Sequence, residues 1–347
     1  IDPVSLKIRR WGKPTDVSSS KILFKSGDII FGKRRAYQRK LAIADFDGIC
    51  SAHSMVLRPK TNVVLKEFLP FFMMSDIFMD RAVKISVGGL SPTINWSDLA
   101  KEKFYLPSLD NQKIILKKLQ LLNNLIDKLK ELVVKERVVK ASLLNTFLNS
   151  RIRQDCLINP EFGINPDNWK VTTLGEIANF RNGKGHEKHI ELEGSYIVVN
   201  SKFIASEGTN IKRTNMNYSP LTKNDIAMVM SDVPNGQALA KCLLINQNNK
   251  YTLNQRICSI SPLDLVRRDF LFYSINRNKY FLSFDNRVSQ TNLSRDEILA
   301  CPILLPSLQD QDKIINLLTT VDNSISKTSE RIRYSQELMS ALVNESA

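Results

Sequence analysis

Cysteine is scarce in this sequence, and its placement excludes two common small scaffolds. The 347 residues contain five cysteines, and no two of them are separated by only two residues. Disulfide frameworks use even sets of cysteines, and zinc knuckles use closely spaced pairs. We therefore expect neither, and the thiols favour a reducing cytoplasm. The five are Cys50, Cys156, Cys242, Cys258 and Cys301.

Motifs that nucleic-acid enzymes use for catalysis are also missing. No Asp or Glu has Lys two positions later, as common metal-dependent nucleases require, and no phosphate-binding loop or methyltransferase tetrad occurs. Two near matches, NPEF at 159–162 and GKG at 183–185, lack essential positions. His186 and His189 have no third metal ligand nearby, which favours a solvated basic loop. We expect no catalytic residue, metal or cofactor on this chain.

Long apolar runs are missing as well. No stretch approaches the length of a membrane span, and residues 1–12 lack the charged-then-apolar layout of a signal peptide. Hydrophobic residues still make up 43% of the chain, and its length suffices for two domains with their own cores. We expect a folded, soluble, cytoplasmic protein with no membrane partner.

Positive charge is what the sequence has in excess. The net charge of +14 favours a polyanionic partner, nucleic acid first and an anionic membrane surface second. A basic surface without a dedicated partner is the alternative. Residues 1–106 carry 18 basic and 10 acidic side chains, whereas residues 306–347 carry 4 and 6. We therefore expect contacts with DNA to be heavier in the first half.

The chain contains an internal repeat. Residues 106–115 read LPSLDNQKII and residues 305–315 read LPSLQDQDKII, and each copy opens a long amphipathic segment. Upstream, FKSGDIIF at 24–31 matches LTKNDIAM at 221–228. Each half mixes short β-branched runs with helix-like stretches. The repeat predicts two α/β or α+β domains of one fold with different loop lengths.

Apolar residues in the segment after each LPSL alternate at spacings of four and three. This rhythm predicts a coiled-coil seam. Glu136 and Lys140 interrupt the first seam and are candidates for setting its register. Packing of each helix on its own domain is the alternative, and we expect the two helices to pair. The seam residues are Ile115, Leu119, Leu122, Ile126, Leu129 and Val133, then Ile314, Leu318, Val321, Ile325, Ile332 and Met339.

Basic clusters mark the candidate DNA contacts. The segment 33–40, KRRAYQRK, can bind phosphates by charge and read base edges through its Arg and Gln side chains. A solvated basic loop is the alternative. The clusters differ between the copies, so two reading domains would read different sequences. Candidates are Lys7, Arg9, Arg10, Lys33, Arg34, Arg35, Tyr37, Arg39 and Lys40, then Arg181, Lys184, His186, Lys188, Lys212 and Arg213.

One ordered set of motifs covers nearly the whole chain. The second copy opens with NWKVTTLGEIANFRNGKG at 168–185, and both copies place LPSL-x-x-Q at the start of a long helix. This set resembles the specificity (S) subunits of type I restriction-modification enzymes. The resemblance implies a non-catalytic subunit with two target-recognition domains, each reading half of a split DNA site. It also implies two spacer helices in an antiparallel coiled coil with pseudo-two-fold symmetry.

The same resemblance implies partners and domain limits. Two methyltransferase (M) subunits would dock on the helices, and restriction/motor (R) subunits would join afterwards. S-adenosylmethionine, ATP and Mg would then bind those partners. The implied domains are target-recognition domain 1 (1–106), spacer helix 1 (107–150), a linker (151–168), target-recognition domain 2 (169–305) and spacer helix 2 (306–347).

The two copies differ at their openings. The W-x-x-x-x-L-G-E-I opening of the second domain begins at Trp169, and its counterpart in the first copy would fall before Ile1. We therefore expect the first domain to be N-terminally incomplete. Two other functions stay open, the recognition end of a fused methyltransferase-nuclease and an adaptor that binds proteins. Methyl transfer by the chain alone would indicate the former, and DNA affinity insensitive to salt the latter.

Overall fold

Two units divide the chain, and the division passes through both long helices, α4 (Leu109–Leu148) and α10 (Leu308–Glu345). Unit 1 comprises Ile1–Lys135 and Ser326–Ala347, and unit 2 comprises Glu136–Ile325. Each unit contains one mixed domain and part of each helix, which confirms the expected fold class. The computed structural model describes residues 6–13, 15, 20–148, 164, 169–233, 236–286 and 288–345.

Short antiparallel strands build the domain of unit 1. Its strands are β1 (Lys21–Phe24), β2 (Ile29–Gly32), β3 (Leu41–Ile43), β4 (Gly48–Ser51) and β5 (Ser54–Leu57), and its helices are α1 (Leu69–Met73), α2 (Asp76–Lys84) and α3 (Trp96–Leu99). β2 lies between β3 and β5, and β1 pairs with β4. Ile29, Ile30 and Phe31 are all buried, so both faces of β2 are covered. Ser75 starts α2 by accepting the Phe78 N–H.

The core of unit 1 is rich in phenylalanine. Phe78 meets Phe31 and Phe72 edge to face, with ring centroids 5.8 and 6.1 Å apart. Leu119 of α4 and Val343 of α10 are buried in the same cluster. The first part of α4 and the last part of α10 therefore share one core, as an antiparallel pair requires.

Unit 2 has a larger set of strands. They are β6 (Lys170–Thr173), β7 (Ala178–Asn182), β8 (Tyr196–Val199), β9 (Arg213–Thr214), β10 (Ile226–Val229), β11 (Ser231–Asp232), β12 (Cys242–Leu244), β13 (Tyr251–Leu253), β14 (Ile257–Pro262), β15 (Thr291–Asn292) and β16 (Pro302–Leu305). The helices are α5 (Leu174–Ile177), α6 (Ser201–Ala205), α7 (Arg268–Ile275), α8 (Lys279–Leu282) and α9 (Arg295–Leu299). The strand orders are β12-β10-β14-β7, β13-β8-β9, β16-β6 and β11-β15.

Two apolar clusters stabilise unit 2. The larger one contains Trp169, Phe147 of α4, and Ile314 and Leu318 of α10. The last part of α4 and the first part of α10 therefore share this core, again as an antiparallel pair requires. The second cluster lies around β8 and β13 and includes Val199.

A buried glutamine joins each domain to the helix that follows it. Gln112 accepts the Leu65 N–H (2.8 Å) and donates to the Pro107 carbonyl (2.8 Å). Gln311, one repeat later, accepts the Arg267 N–H (2.7 Å) and donates to its own preceding proline carbonyl (2.9 Å). Both side chains are fully buried. The glutamine of LPSL-x-x-Q therefore satisfies backbone groups at the helix start that burial would otherwise leave unpaired.

Burial along the long helices follows the spacing of the predicted seam. Six of the predicted seam residues are buried, and the other six are half-buried. The buried ones are Leu119, Ile126, Leu129, Val133, Ile314 and Leu318, and the half-buried ones are Ile115, Leu122, Val321, Ile325, Ile332 and Met339. In these described ranges no helix is both long and apolar enough to span a bilayer.

Polar residues inside the seam pair between the helices in unit 2. Glu136 accepts from Ser324 Oγ at 2.5 Å, and Lys140 forms an ion pair with Asp322. Asp322 also accepts from the Tyr273 hydroxyl at 2.8 Å, and burial raises the pKa of that tyrosine. Such half-buried polar pairs fix one register, because sliding the helices would leave charges unpaired.

Candidate nucleic-acid interface

The basic segment 33–40 forms the turn between β2 and β3 in unit 1. One 3-10 turn, Ala36–Gln38, is flanked by Arg35 and Arg39, which both have left-handed backbone angles (φ 57° and 49°). This backbone reverses the chain tightly and leaves most of the segment's side chains at the surface. Arg34, Arg35, Tyr37 and Lys40 are exposed, and Lys33 and Arg39 are half-buried.

Two arginines of this turn also fasten it to the domain. Arg35 donates to Ser91 Oγ through Nε (3.1 Å) and a terminal nitrogen (2.9 Å). Arg39 donates to the Asp76 carboxylate at 2.5 Å and to the Met74 carbonyl at 3.3 Å. Donation from Arg39 lowers the pKa of Asp76. We therefore assign Arg35 and Arg39 first to holding the turn, and the exposed Arg34 and Lys40 are more accessible to a polyanion.

The second predicted cluster of unit 1 lies in its N-terminal segment. Lys7 forms an ion pair with Asp127 of α4, with Nζ 2.5 Å from Oδ2, so it attaches the segment to the helix. Arg9 and Arg10 are exposed, as is the neighbouring Trp11. The cluster thus combines one helix-bound lysine with cations and an aromatic ring at the surface.

Trp11 borders a groove of about 730 Å³ with aromatic and basic walls. The Trp11 ring meets Phe46 edge to face at 6.0 Å, and Phe46 meets Phe24 at 5.8 Å. Arg10, Lys13 and Lys21 line the same groove. Rings beside cations are typical of surfaces that contact nucleic acid. The sequence did not reveal this groove, because folding brings Phe46 to Trp11 from a distant turn.

The first basic cluster of unit 2 lies in the loop after β7. A Cβ on Gly183 would lie 2.0 Å from the Asn254 carbonyl oxygen, so only glycine fits there. The Gly183 N–H donates to Ile257, and the Lys184 N–H donates to Leu253, each at 3.0 Å. The GKG sequence therefore serves close backbone packing.

His186 is fully buried, which corrects the prediction that it contacts DNA. Its Nδ1 lies 2.7 Å from the Lys184 carbonyl oxygen, and its Nε2 lies 3.0 Å from Thr252 Oγ1. Asn254 accepts the His186 N–H and donates to Glu187, which lowers the pKa of Glu187. His186 thus holds the loop in shape, while Lys184 stays exposed.

Tyr218 is a surface residue that the sequence did not single out. Its ring centroid lies 5.2 Å from that of His186 and 5.7 Å from that of His189, and its hydroxyl lies 3.3 Å from His189 Nε2. Arg181 of β7 donates to the Pro220 carbonyl at 2.7 Å, two residues beyond the tyrosine. An aromatic ring thus lies beside both histidines of the predicted basic loop.

The remaining candidates of unit 2 lie at β9. Arg213 is half-buried, and its guanidinium donates to the Gly194 carbonyl at 3.4 Å. Lys212 is exposed, as is Lys188 in the loop after β7. Lys184, Lys188 and Lys212 are therefore more accessible to a polyanion than Arg213.

Each unit has a buried aspartate just before the equivalent central strand, Asp28 before β2 and Asp225 before β10. Each accepts the backbone N–H three residues earlier, at 2.8 and 2.7 Å. Arg58 donates twice to Asp28 at 2.6 Å, and this lowers the pKa of Asp28. Asp225 accepts from Ser259 and Ser261 of β14 and forms an ion pair with Arg181 of β7, at 3.6 Å. The shared aspartate shapes the turn, and its partners differ between the units.

Potential metal ligands and most cysteine thiols can be located in the part of the chain that the structure describes. No cluster of three or more His, Cys, Asp and Glu side chains is placed there to hold a metal ion. Cys242, Cys258 and Cys301 are buried, and burial raises the pKa of each thiol, to about 12 for Cys301. Such thiols stay protonated at neutral pH. Cys156 lies outside the described residues.

Two sheet domains with basic turns, each followed by a long helix, match one protein family. The family model of the type I restriction modification DNA specificity domain matches this chain at residues 13–135 and 166–333. The chain belongs to this family. The two matches fall on the two copies of the repeat, so the family expected from the sequence is confirmed.

Curated relatives come from a bacterium and an archaeon. The type I restriction enzyme EcoDI specificity subunit of Escherichia coli is 28% identical over 177 residues, which are 50% of this chain and 39% of that protein. The MjaVIII specificity subunit of Methanocaldococcus jannaschii is 32% identical over 142 residues, 38% of this chain and 33% of that protein. The matched region thus spans two-fifths or less of these relatives.

Two solved chains share the fold. One, from work on complex assembly and conformational transition of the type I R-M system, has a TM-score of 0.59 at 19% identity and covers 95% of this chain and 84% of that chain. The S subunit of a type I restriction-modification system from M. genitalium has a TM-score of 0.57 at 15% identity, with 94% and 83% covered. The shared fold therefore extends over nearly the whole chain.

Proposed function

We propose that this chain is the DNA-recognition subunit of a type I restriction-modification enzyme. The observation that carries the proposal is the match of the DNA specificity family to both copies of a fold whose turns expose cations. In unit 1 these cations include Arg34 and Lys40, and in unit 2 they include Lys184 and Lys188. Because the turns differ in sequence, each unit would read a different half of a split DNA site.

Recognition without catalysis is the role we assign to the chain itself. S-adenosylmethionine, ATP and Mg would bind two methyltransferase subunits and the restriction subunits, in the cytoplasm. An apolar stripe on α4 in unit 1 supports docking of a protein partner, since isolated surface helices seldom expose several aliphatic side chains in one row. Its members, at spacings of seven, four and seven, are Ile114, Leu121, Leu125 and Leu132, and they are 57%, 63%, 39% and 41% exposed.

The test measures DNA affinity against salt concentration for the chain assembled with its methyltransferase subunits. We expect Arg34→Ala with Lys40→Ala to weaken binding and to flatten the dependence of log affinity on log salt, by roughly 0.9 per lost phosphate contact. Arg39 is kept, because it holds the turn through Asp76. Lys117→Ala with Lys118→Ala is the matched control, since it removes the same charge from an exposed part of α4.

Methylation mapping completes the test. The assembled enzyme should modify a split motif, and the variant in the unit 1 turn should lose discrimination in one half of it. If DNA affinity depends on salt equally in the variant and its control, the turn does not contact DNA. A DNA affinity that depends neither on salt concentration nor on DNA sequence would contradict the proposed function and favour a protein adaptor.

A further inference from the structure

One aliphatic side chain lies almost fully in solvent on the loop that joins α2 to α3 in unit 1. This residue, Leu90, is 97% exposed. Val87 and Thr93 exchange both of their backbone hydrogen bonds, at 3.0 and 2.9 Å, and so close a loop of five residues, 88–92. Gly88 has a positive φ of 113°, which favours glycine. The loop is therefore a tight hairpin, and Leu90 is its middle residue.

The basic turn at 33–40 holds this hairpin against itself. The Arg35 N–H donates to the Pro92 carbonyl at 2.7 Å, and the Arg35 guanidinium donates twice to Ser91 Oγ. The residue after Leu90 is thus fixed by the turn, and the residue before it is a glycine without a side chain. The hairpin and the basic turn form one surface, so a polyanion bound by the exposed cations of the turn also meets Leu90.

Unit 2 places an aliphatic side chain in the equivalent connection of the repeat. The segment between α8 and α9 contains Val288, which is 84% exposed. The strand of that segment, β15, pairs antiparallel with β11, just after the central strand β10. In unit 1, Thr93 makes the corresponding antiparallel bridge to Arg34, just after β2. Single exposed aliphatic residues are common on protein surfaces, but this placement in both copies of the repeat favours a shared use.

We propose that Leu90 is a specificity-determining residue that contacts the 5-methyl group of a thymine in the major groove of DNA. This inference rests on the proposed function and adds a base contact to it. The major groove is about 12 Å wide and admits two chain segments side by side, as in the hairpin 88–92, whereas the minor groove is about 6 Å wide. In the major groove the base edges present hydrogen-bond donors, acceptors and the thymine methyl. Because a leucine side chain neither donates nor accepts, the methyl is the group that it recognises.

The contribution of Leu90 differs in kind from that of the neighbouring cations. Arg34 and Lys40 are exposed and suited to phosphates, which carry no direct sequence information. Contact between Leu90 and a thymine methyl removes apolar surface from water, and burial of one methyl-sized group corresponds to about fourfold in affinity. Such a contact releases no counterion, so it changes discrimination between sequences and leaves the salt dependence of binding unchanged.

The experiment measures affinity of the chain, assembled with its methyltransferase subunits, for duplexes that carry the split motif found by methylation mapping. Each thymine of the motif is replaced in turn by deoxyuridine, which lacks only the methyl group. The wild type should lose about fourfold in affinity at one thymine of one half-site. Leu90→Ala should lose the same amount on the unmodified duplex, keep the wild-type salt dependence, and be insensitive to uracil at that thymine.

Val63→Ala is the matched control. Val63 is also an exposed aliphatic residue of unit 1, at 52%, and its carbonyl accepts from Gln112 at the joint with α4. This variant should bind every duplex as the wild type does. Because both side chains are exposed, neither substitution removes a core residue, and both variants should fold.

Three results would overturn the inference about Leu90. The first is wild-type affinity for the motif in Leu90→Ala. The second is wild-type binding that uracil leaves unchanged at every position. The third is weaker binding by Leu90→Ala with undiminished sensitivity to each uracil, which would mean that the side chain contacts DNA elsewhere, for example in the minor groove. The proposed function is tested separately, because methylation of a split motif and the salt effect of Arg34→Ala with Lys40→Ala do not depend on Leu90.

Discussion

The two units share their joint with the long helix and differ where their sheets meet the surface. At the joint, Gln112 and Gln311 make the same set of bonds, and Leu119 and Leu318 are both fully buried. At the surface, five basic residues lie in the turn that joins β2 to β3 in unit 1 (33–40), whereas the connection from β10 to β12 in unit 2 (230–241) has one, Lys241. The comparison shows that the repeat preserves the attachment of domain to helix and varies the turns at the surface.

Trp169 offers the largest test of this comparison, because its side chain is 2% exposed in the core cluster that joins unit 2 to α10. We expect Trp169→Ala to lower the free energy of unfolding by roughly 3–5 kcal/mol, as for other large-to-small changes in a core. It should also raise amide exchange in β6, which follows Trp169 directly. Urea unfolding and hydrogen exchange measure these effects.

Trp96→Ala in unit 1 is the control for that change. Trp96 is 60% exposed, so its removal should alter the free energy of unfolding by about 0.5 kcal/mol or less. If the two alanine variants unfold at the same urea concentration, Trp169 does not stabilise unit 2 and the difference between the units lies elsewhere.

The paired glutamines test the part of the comparison in which the two units should behave alike. Gln112→Ala and Gln311→Ala each leave a buried backbone N–H and carbonyl groups unpaired. Each should therefore lower the free energy of unfolding by about 1–3 kcal/mol. Hydrogen exchange should show the loss in unit 1 for the first variant and in unit 2 for the second. A cost confined to one of the two would mean that the joints are not equivalent.

The smallest expected effect is a change in how the free energy of unfolding depends on acidic pH. Arg58 holds the pKa of Asp28 below its usual value, so this carboxylate stabilises unit 1 above pH of about 4, and the contribution is lost as pH falls through the folded-state pKa. Asp28→Asn should therefore flatten the decline of unfolding free energy with acid, as measured by urea unfolding between pH 2 and 6. The same acid slope in Asp28→Asn and wild type would contradict this assignment.

Local patterns carried most of what could be predicted about the fold. The repeat, the two long helices and the spacing of Leu119 and Leu318 depend on residues close together in the sequence, and hydrophobic periodicity reports those directly. The pairing of β7 with β14 joins segments about 80 residues apart, and no local pattern encodes it. The turn at 33–40 could be predicted from its charge, because charged side chains usually remain at the surface after folding.

Contacts made by individual site residues were harder to predict. His186 has the charge pattern of its neighbours in the sequence, yet its ring fits between Thr252 and a backbone carbonyl and is buried. Arg39 looks like Arg34 in the sequence, but the fold brings Asp76 to it from α2. Tyr218 gave no signal, because its relation to the histidine loop arises only when β8 and β13 assemble.

Unit 1 is discontinuous in the chain, whereas unit 2 is a single stretch, and this difference sets an order for synthesis on the ribosome. Unit 2 has all of its residues once position 325 has emerged. Unit 1 needs Asn344, whose side chain bonds Asp76 twice at 2.7 Å across 268 positions. Synthesis proceeds at roughly 5–20 residues per second. The domain of unit 1 is synthesised first, but it lacks its part of α10 for many seconds and is therefore completed last.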